Sequence, residues 1–163
     1  MAHYTPEFFE DGDGNEPVLD WLRELPGYKR RAATAALQHI LAHQGSGVCR
    51  SGWGKWVAAG IFELRVRQDY GTILRNAGIP IPKQEQEEAK QRHPDILLRI
   101  FCHPHGNKLV LLLAGYDKGK NPNARRQNQE IKLAEKRLKQ WRARRAAAAK
   151  KAKRAGGSRK RKS

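Results

Sequence analysis

Nowhere in the chain do about 20 apolar residues run together, so no transmembrane helix is expected. The first residues hold no apolar stretch of the signal-peptide kind, and the expected compartment is cytoplasmic. There are two cysteines, Cys49 and Cys102, and no CxxC, too few for a disulfide framework, so both read as structural thiols. No HExxH occurs, and the acidic DxDG at Asp11–Gly14 lacks the spaced acceptors and final Glu of a calcium loop. No metal and no cofactor are expected. The sharpest absence is of negative charge: from Arg142 to Ser163 there are eleven Lys or Arg and no Asp or Glu.

What is present is cationic. The 163 residues carry a formal net charge of +17. Removing the eleven charges of the last segment leaves 17 − 11 = +6 on residues 1–141, so the body is basic without its tail. A polyanionic partner follows, and nucleic acid is the commonest. With 39% hydrophobic residues the length suits one domain with a modest core.

Leu97–Lys120 organises the rest. Leu97, Leu98, Ile100 and Phe101, interrupted by Arg99, read as one strand. Leu109–Leu113 is an unbroken aliphatic run of the kind buried on both faces of a sheet. His103–Asn107 between them is rich in turn formers, and both histidines are expected at a solvent-facing turn. The second strand then ends in Tyr116, Lys118 and Lys120 with Gly115 and Gly119 among them, a lip that can meet a phosphate chain.

Upstream, Tyr4–Glu10 reads as a first strand. Asn15 can cap a helix with Pro17 in its first turn and Val18, Leu19, Trp21, Leu22 and Leu25 on its apolar face. Pro26-Gly27 ends it, and a second helix is expected over Tyr28–His43. His39 and His43 lie four apart on that helix, without an acidic third ligand, and read as surface or core-edge residues. Gly45–Gly54 is a glycine-rich loop. Trp53, Lys55 and Trp56 suggest base stacking with a phosphate contact, the alternative being tryptophans folded onto the core.

Ile61–Arg67 alternates. Phe62, Leu64 and Val66 would be buried, and Ile61, Glu63, Arg65 and Arg67 would form a polar face. Two arginines two residues apart on one face can bracket a phosphate, as guanidinium binds it bidentately while staying charged. Pairing with Glu63 is the competing use. Thr72–Asp95, with three prolines and a polar run, reads as an irregular insertion too polar for the core, with a short helix over Lys83–Arg92. A last helix is expected to begin at Asn121-Pro122 and to dock through Ile131, Ala134, Leu138 and Trp141. Beyond Trp141 a helix-competent basic tail leads through Gly156-Gly157 into a segment expected to be disordered.

In this order the chain resembles the RelE/ParE superfamily of toxins, and most closely its HigB-like, phage-derived branch. The likeness is carried by PVLDWLRELP (Pro17–Pro26), IFELRVR (Ile61–Arg67), the Arg-bearing hairpin Leu97–Pro122 with its aromatic-Lys ending, and AEKRLKQW (Ala134–Trp141). It departs in the Thr72–Asp95 insertion, where the family has a short turn, in Gly119 where relatives carry another Lys, and in the long basic tail. The resemblance implies an α+β fold: a small antiparallel or mixed sheet packed against an N-terminal helical hairpin, with a basic C-terminal helix. The toxin domain would be residues 1–141, carrying the insertion, followed by the tail over 142–163.

It also implies the toxin of a type II toxin–antitoxin module, an endoribonuclease that cuts mRNA on the ribosome without metal. Its partners would be a cognate antitoxin protein, the ribosome and mRNA, with no membrane. In that chemistry the ribose 2′-OH attacks the adjacent phosphate. A base takes the 2′-OH proton, cations stabilise the transition state and an acid protonates the leaving 5′-oxygen. Arg65, Arg67 and Arg99 are the candidates for the clamp. Tyr116, Lys118 and Lys120 are those for proton transfer and phosphate contact, with the arginines depressing the Tyr and Lys pKa values. Superfamily members that inhibit DNA gyrase without cutting RNA give a second reading. A non-enzymatic nucleic-acid-binding module gives a third.

Overall fold

A computed structural model describes residues 3–93 and 95–160. The architecture is α+β, with one five-stranded mixed sheet between two helical layers. The strands are β1 (Thr5–Phe8), β2 (Gly54–Ala58), β3 (Ile61–Val66), β4 (Leu98–His105) and β5 (Leu109–Asp117), in the order β1-β5-β4-β3-β2. β1 runs parallel to β5, and every other pairing is antiparallel.

One face carries the helical hairpin. α1 (Pro17–Glu24) has Pro17 at its start, where a missing N–H costs nothing. Its N-cap residue is Glu16, not Asn15. Asn15 belongs to the preceding turn, its N–H donating to Asp11 Oδ1 at 2.9 Å. α2 (Gly27–Ala35) continues through a π turn, Ala36–Leu41, into the short α3 (Ala42–Gln44). Its Ala32, Ala33, Ala36, Ile40 and Leu41 pack with Val18 and Leu22 onto Phe62, Leu64, Val66, Leu98 and Ile100. Gly115 is required here: a Cβ on it would lie 2.5 Å from Trp21 Cζ3, so only glycine lets the indole lie on β5.

The glycine-rich loop expected at Gly45–Gly54 is a 3₁₀ turn, Gly45–Cys49, followed by β2, which sequence reading missed. β2 is an edge strand whose Lys55 and Trp56 point to opposite faces, so it carries no apolar alternation. The insertion also differs from expectation. α4 (Tyr70–Asn76) is capped by Asp69, whose Oδ1 accepts the Thr72 N–H at 2.8 Å, and it sends Ile73 and Leu74 into the core. A 3₁₀ turn, Lys83–Glu85, and α5 (Gln86–Lys90) take the place of the expected short helix.

The second face is covered by α6 (Ala124–Lys160), which corrects the reading of β3. Ile61 and Glu63, expected on a polar face, are both buried, because a second layer covers the side that alternation alone would leave wet. Ala134 and Leu138 dock α6 on Phe101, Leu111, Leu113 and Phe9, with Ile131 and Trp141 at the margin, as their spacing predicted. The helix is capped by Asn123, whose Oδ1 accepts the Arg126 N–H at 2.8 Å; Asn121 instead closes the turn after β5, bonding to the Asp117 carbonyl.

α6 runs unbroken past Trp141 and through Gly156-Gly157 to Lys160, so the expected domain boundary falls within one helix. Ser158–Lys160, expected to be disordered, are helical, and Arg161–Ser163 lie outside the described residues.

The turn between β4 and β5 is shorter than predicted, at Gly106–Lys108. Pro104 stays in β4 because β3 pairing ends at Phe62–Cys102, so its missing N–H faces no neighbour. His103 is therefore not a turn residue: it is buried, its Nδ1 lies 2.7 Å from the Gly60 carbonyl, and its ring meets Trp141 edge-on. Among the described residues no helix is long and apolar enough to cross a membrane.

Candidate functional site

β-Sheet register builds the site. Arg65 of β3 lies opposite Arg99 of β4, and Arg99 lies opposite Tyr116 of β5. Directly opposed residues share a face, so the three form one row across three strands, on the side covered by α6. One step along, Glu63 opposes Phe101 on the same face.

Glu63 is the centre of the cluster. Its carboxylate is buried and accepts from Arg65 Nε at 2.8 Å and from Gln127 Nε2 at 3.1 Å, with Arg99 Nε at 3.9 Å. A carboxylate without water is tolerable only when paired and hydrogen-bonded, and two guanidiniums and an amide supply that. Lys118 Nζ donates to Gln127 Oε1 at 3.3 Å, so Gln127 bridges the lysine and the carboxylate. Above Tyr116 lies the Arg126 guanidinium, 5.5 Å from the ring centroid and paired with Glu130 at 3.0 Å.

Exposure separates the candidates. Arg65 keeps 27% of its side chain accessible, whereas Arg99 keeps 6% and Tyr116 is buried. Lys118 is half-buried, and Lys120 is exposed in the turn after β5. Arg67, just past β3, is exposed and donates to the Gly52 carbonyl at 3.0 Å. Two buried polar atoms of the row have no hydrogen-bond partner: Arg99 Nε and the Tyr116 hydroxyl.

Burial pulls the Arg99 guanidinium below its usual pKa, opposed by Glu63 and reinforced by the charges of Arg65 and Arg67. Burial also pushes the Tyr116 phenol above its ordinary value, and outweighs the opposing charge of Arg99. This overturns the expectation that the arginines depress it. At neutral pH Tyr116 is a phenol that can donate a hydrogen bond.

The tryptophan platform divides. Trp56 is exposed, but it shares the face of Phe62, which its ring meets edge-on at 5.5 Å. It therefore lies on the opposite side of the sheet from the arginine row. Trp53 is half-buried against the apolar core. Lys55, opposite Glu63, is exposed on the arginine face, and of the three it alone can extend that cationic surface.

Sequence reasoning missed Gln127 and Arg126 as members of this cluster. Neither carries a signal in the chain beyond the Arg126–Glu130 spacing on a helix. Among the described residues no group of three or more His, Cys, Asp or Glu is placed to hold a metal ion. No family model, curated protein or solved structure matches the chain.

Proposed function

We propose that the chain is an RNA-cleaving toxin of the RelE/ParE type, with the HigB-like branch the nearest pattern, acting on mRNA at the ribosome and held in check by an antitoxin. The observation that carries this is the Arg65–Arg99–Tyr116 row, with Lys118 one step beyond it, on one face of a five-stranded sheet whose other face packs on a helical hairpin. It supports the reading because three adjacent strands bring cation, cation and phenol to one place, the charge stabilisation and the acid that an in-line attack by a ribose 2′-OH calls on.

The roles follow from exposure and acidity. Arg65, the accessible arginine, contacts the reacting phosphate. Arg99 acts from beneath as fixed positive charge. Tyr116, a neutral phenol with its hydroxyl unpartnered, donates toward the leaving 5′-oxygen. A phenol cannot accept the 2′-OH proton while it holds its own, so Tyr116 serves as the acid and not the base, and Lys118 and Lys120 contact phosphate. The cleaved strand would carry a 2′,3′-cyclic or 3′-phosphate and a 5′-OH. For RNA to reach Tyr116, the side chains of Arg126 and Gln127 must give way. Both are polar, partly accessible and free to re-pair with phosphate or base.

That roof favours a second reading, a basic nucleic-acid-binding module that cuts nothing, since Tyr116 is 1% exposed beneath it. Expression of the wild type and of Tyr116→Phe, with mapping of mRNA 5′ ends and purified ribosomes in parallel, separates the two. Ribosome-dependent fragments with 5′-OH ends that vanish in the variant are the expected result. Tight, salt-sensitive RNA binding with no fragments selects the second reading. A DNA-damage response without mRNA fragments selects gyrase inhibition.

A further inference from the structure

The Thr72–Asp95 insertion builds a second cationic feature beside the row. A cleft of about 410 Å³ is lined by Arg67, Arg75, Arg92 and His93, together with Asp69 and Thr72. The three arginines come from three separate segments: the end of β3, α4 and the chain after α5. All three are exposed. Among the described residues no carboxylate lies within salt-bridge distance of Arg67, Arg75 or Arg92. The cleft's one carboxylate, Asp69, accepts the Thr72 N–H. Arg75 Nη2 donates to Thr72 Oγ1, another residue of the cleft lining, at 3.2 Å.

The insertion is packed, not loose. A Cβ on Gly71 of α4 would lie 2.5 Å from the Ala89 carbonyl oxygen of α5, so these two short helices touch backbone to backbone. Ala89 is buried between them, and Ile73 and Leu74 anchor α4 in the core. The arginines are thus mounted on a fixed platform. Arg67 also joins the cleft to the row: its charge is felt at Arg99, and it stands two residues from Arg65, roughly 6.6 Å along an extended chain. That separation is comparable to the distance between neighbouring phosphates of one nucleic-acid strand.

We propose that this cleft is a phosphate subsite for the same RNA strand, holding a phosphodiester next to the one that sits over Arg65. Guanidinium binds phosphate bidentately and stays charged, and three guanidiniums outside any salt bridge around one cleft repel one another until an anion enters. The partner is a single strand, whose backbone can bend from the row into the cleft. The inference rests on the RNA-directed reading of the row, though not on cleavage.

The test uses the full chain and a single-stranded 2′-O-methyl RNA, which lacks the attacking hydroxyl and cannot be cut. Binding is followed by fluorescence anisotropy across a salt series for the wild type, for Arg75→Gln/Arg92→Gln, and for Lys132→Gln/Lys139→Gln. The last pair removes the same charge from exposed positions of α6 outside the cleft. The cleft variant is expected to bind on the order of tenfold more weakly, with the log–log salt slope reduced by about 0.7 because one phosphate fewer is neutralised. The α6 variant should change less, and all three proteins should melt together. An unchanged slope in the cleft variant, an equal weakening in the α6 variant, or a wild type that does not bind the strand overturns the proposal. Weakened binding in the cleft variant with no cleavage of ordinary mRNA by the wild type keeps the subsite and sinks only the nuclease reading.

Discussion

Lys29 Nζ donates to Asp117 Oδ2 at 2.7 Å across 88 positions of sequence, and both side chains are buried. The pair ties the helical hairpin to the last residue of β5. Asp117 lies between Tyr116 and Lys118, so this one contact on the hairpin side fixes the strand end from which the two site residues project to the other face.

Breaking the pair from one side should be costly. Asp117→Asn leaves an ammonium buried without its counter-charge and is expected to destabilise the fold by about 3–5 kcal/mol, read from urea unfolding midpoints. Replacing both partners, as Lys29→Met/Asp117→Leu, should recover most of that stability, since a buried ion pair is often no more stable than apolar groups of similar volume. A double variant as unstable as the single one would show that the loss does not come from an ammonium left without its counter-charge.

Tyr116→Phe should separate stability from function. The hydroxyl has no hydrogen-bond partner in the fold, so its removal relieves a buried unsatisfied group. Unfolding free energy is expected to stay within about 0.5 kcal/mol of the wild type or to rise by ~1 kcal/mol. If Tyr116 donates a proton in cleavage, the rate on ribosome-bound mRNA should nevertheless fall by roughly 10²–10⁴. A variant that is clearly less stable would mean that the hydroxyl has a partner, water for example, and that its role is structural.

The apolar parts of this fold were legible in the chain because they obey the helix and strand periods. The Val18–Leu22 face, the unbroken Leu109–Leu113 run and the Ile131–Ala134–Leu138–Trp141 stripe all sit where their spacing puts them. What alternation could not reveal is which polar face a second layer would cover. Glu63 and Arg99 look like surface residues in sequence, and only the docking of α6 makes them a buried pair. β2 was illegible for the reverse reason: it is an edge strand, and Gly-Lys-Trp carries no buried alternate positions. Within the site, the Arg65–Glu63 contact could be suspected from two residues sharing a strand face, whereas Gln127 reaches Glu63 across 64 positions with nothing local to announce it.

Substituting Gly71 should loosen the insertion without unfolding the molecule. Its Cβ would meet backbone at 2.5 Å, which no side-chain rotation relieves, so α5 must move away from α4 in Gly71→Ala. A destabilisation of roughly 1–3 kcal/mol is expected, with faster amide exchange concentrated in Lys83–Lys90. Because Arg92 hangs from that segment, affinity for single-stranded 2′-O-methyl RNA should fall in parallel. Exchange that rises equally across β4 and β5 would show instead that the insertion and the sheet unfold as one unit.

His103 should make the fold sensitive to mild acid. Burial holds its imidazole below the usual value of 6.5, aided by the nearby charges of Arg142 and His105 and opposed by the Gly60 carbonyl, which requires a proton on Nδ1. The folded state thus keeps a neutral ring at pH values where the unfolded chain already binds a second proton. With the folded pKa lowered, the unfolded state holds more protons just below pH 6.5. The contribution of His103 is therefore complete above about 6.5 and is lost as pH falls from there toward the folded value. His103→Asn retains a donor for Gly60 and cannot titrate. Urea midpoints measured at pH 7.5 and pH 5.5 should drop more in the wild type than in this variant, and equal drops in the two would place the acid sensitivity elsewhere.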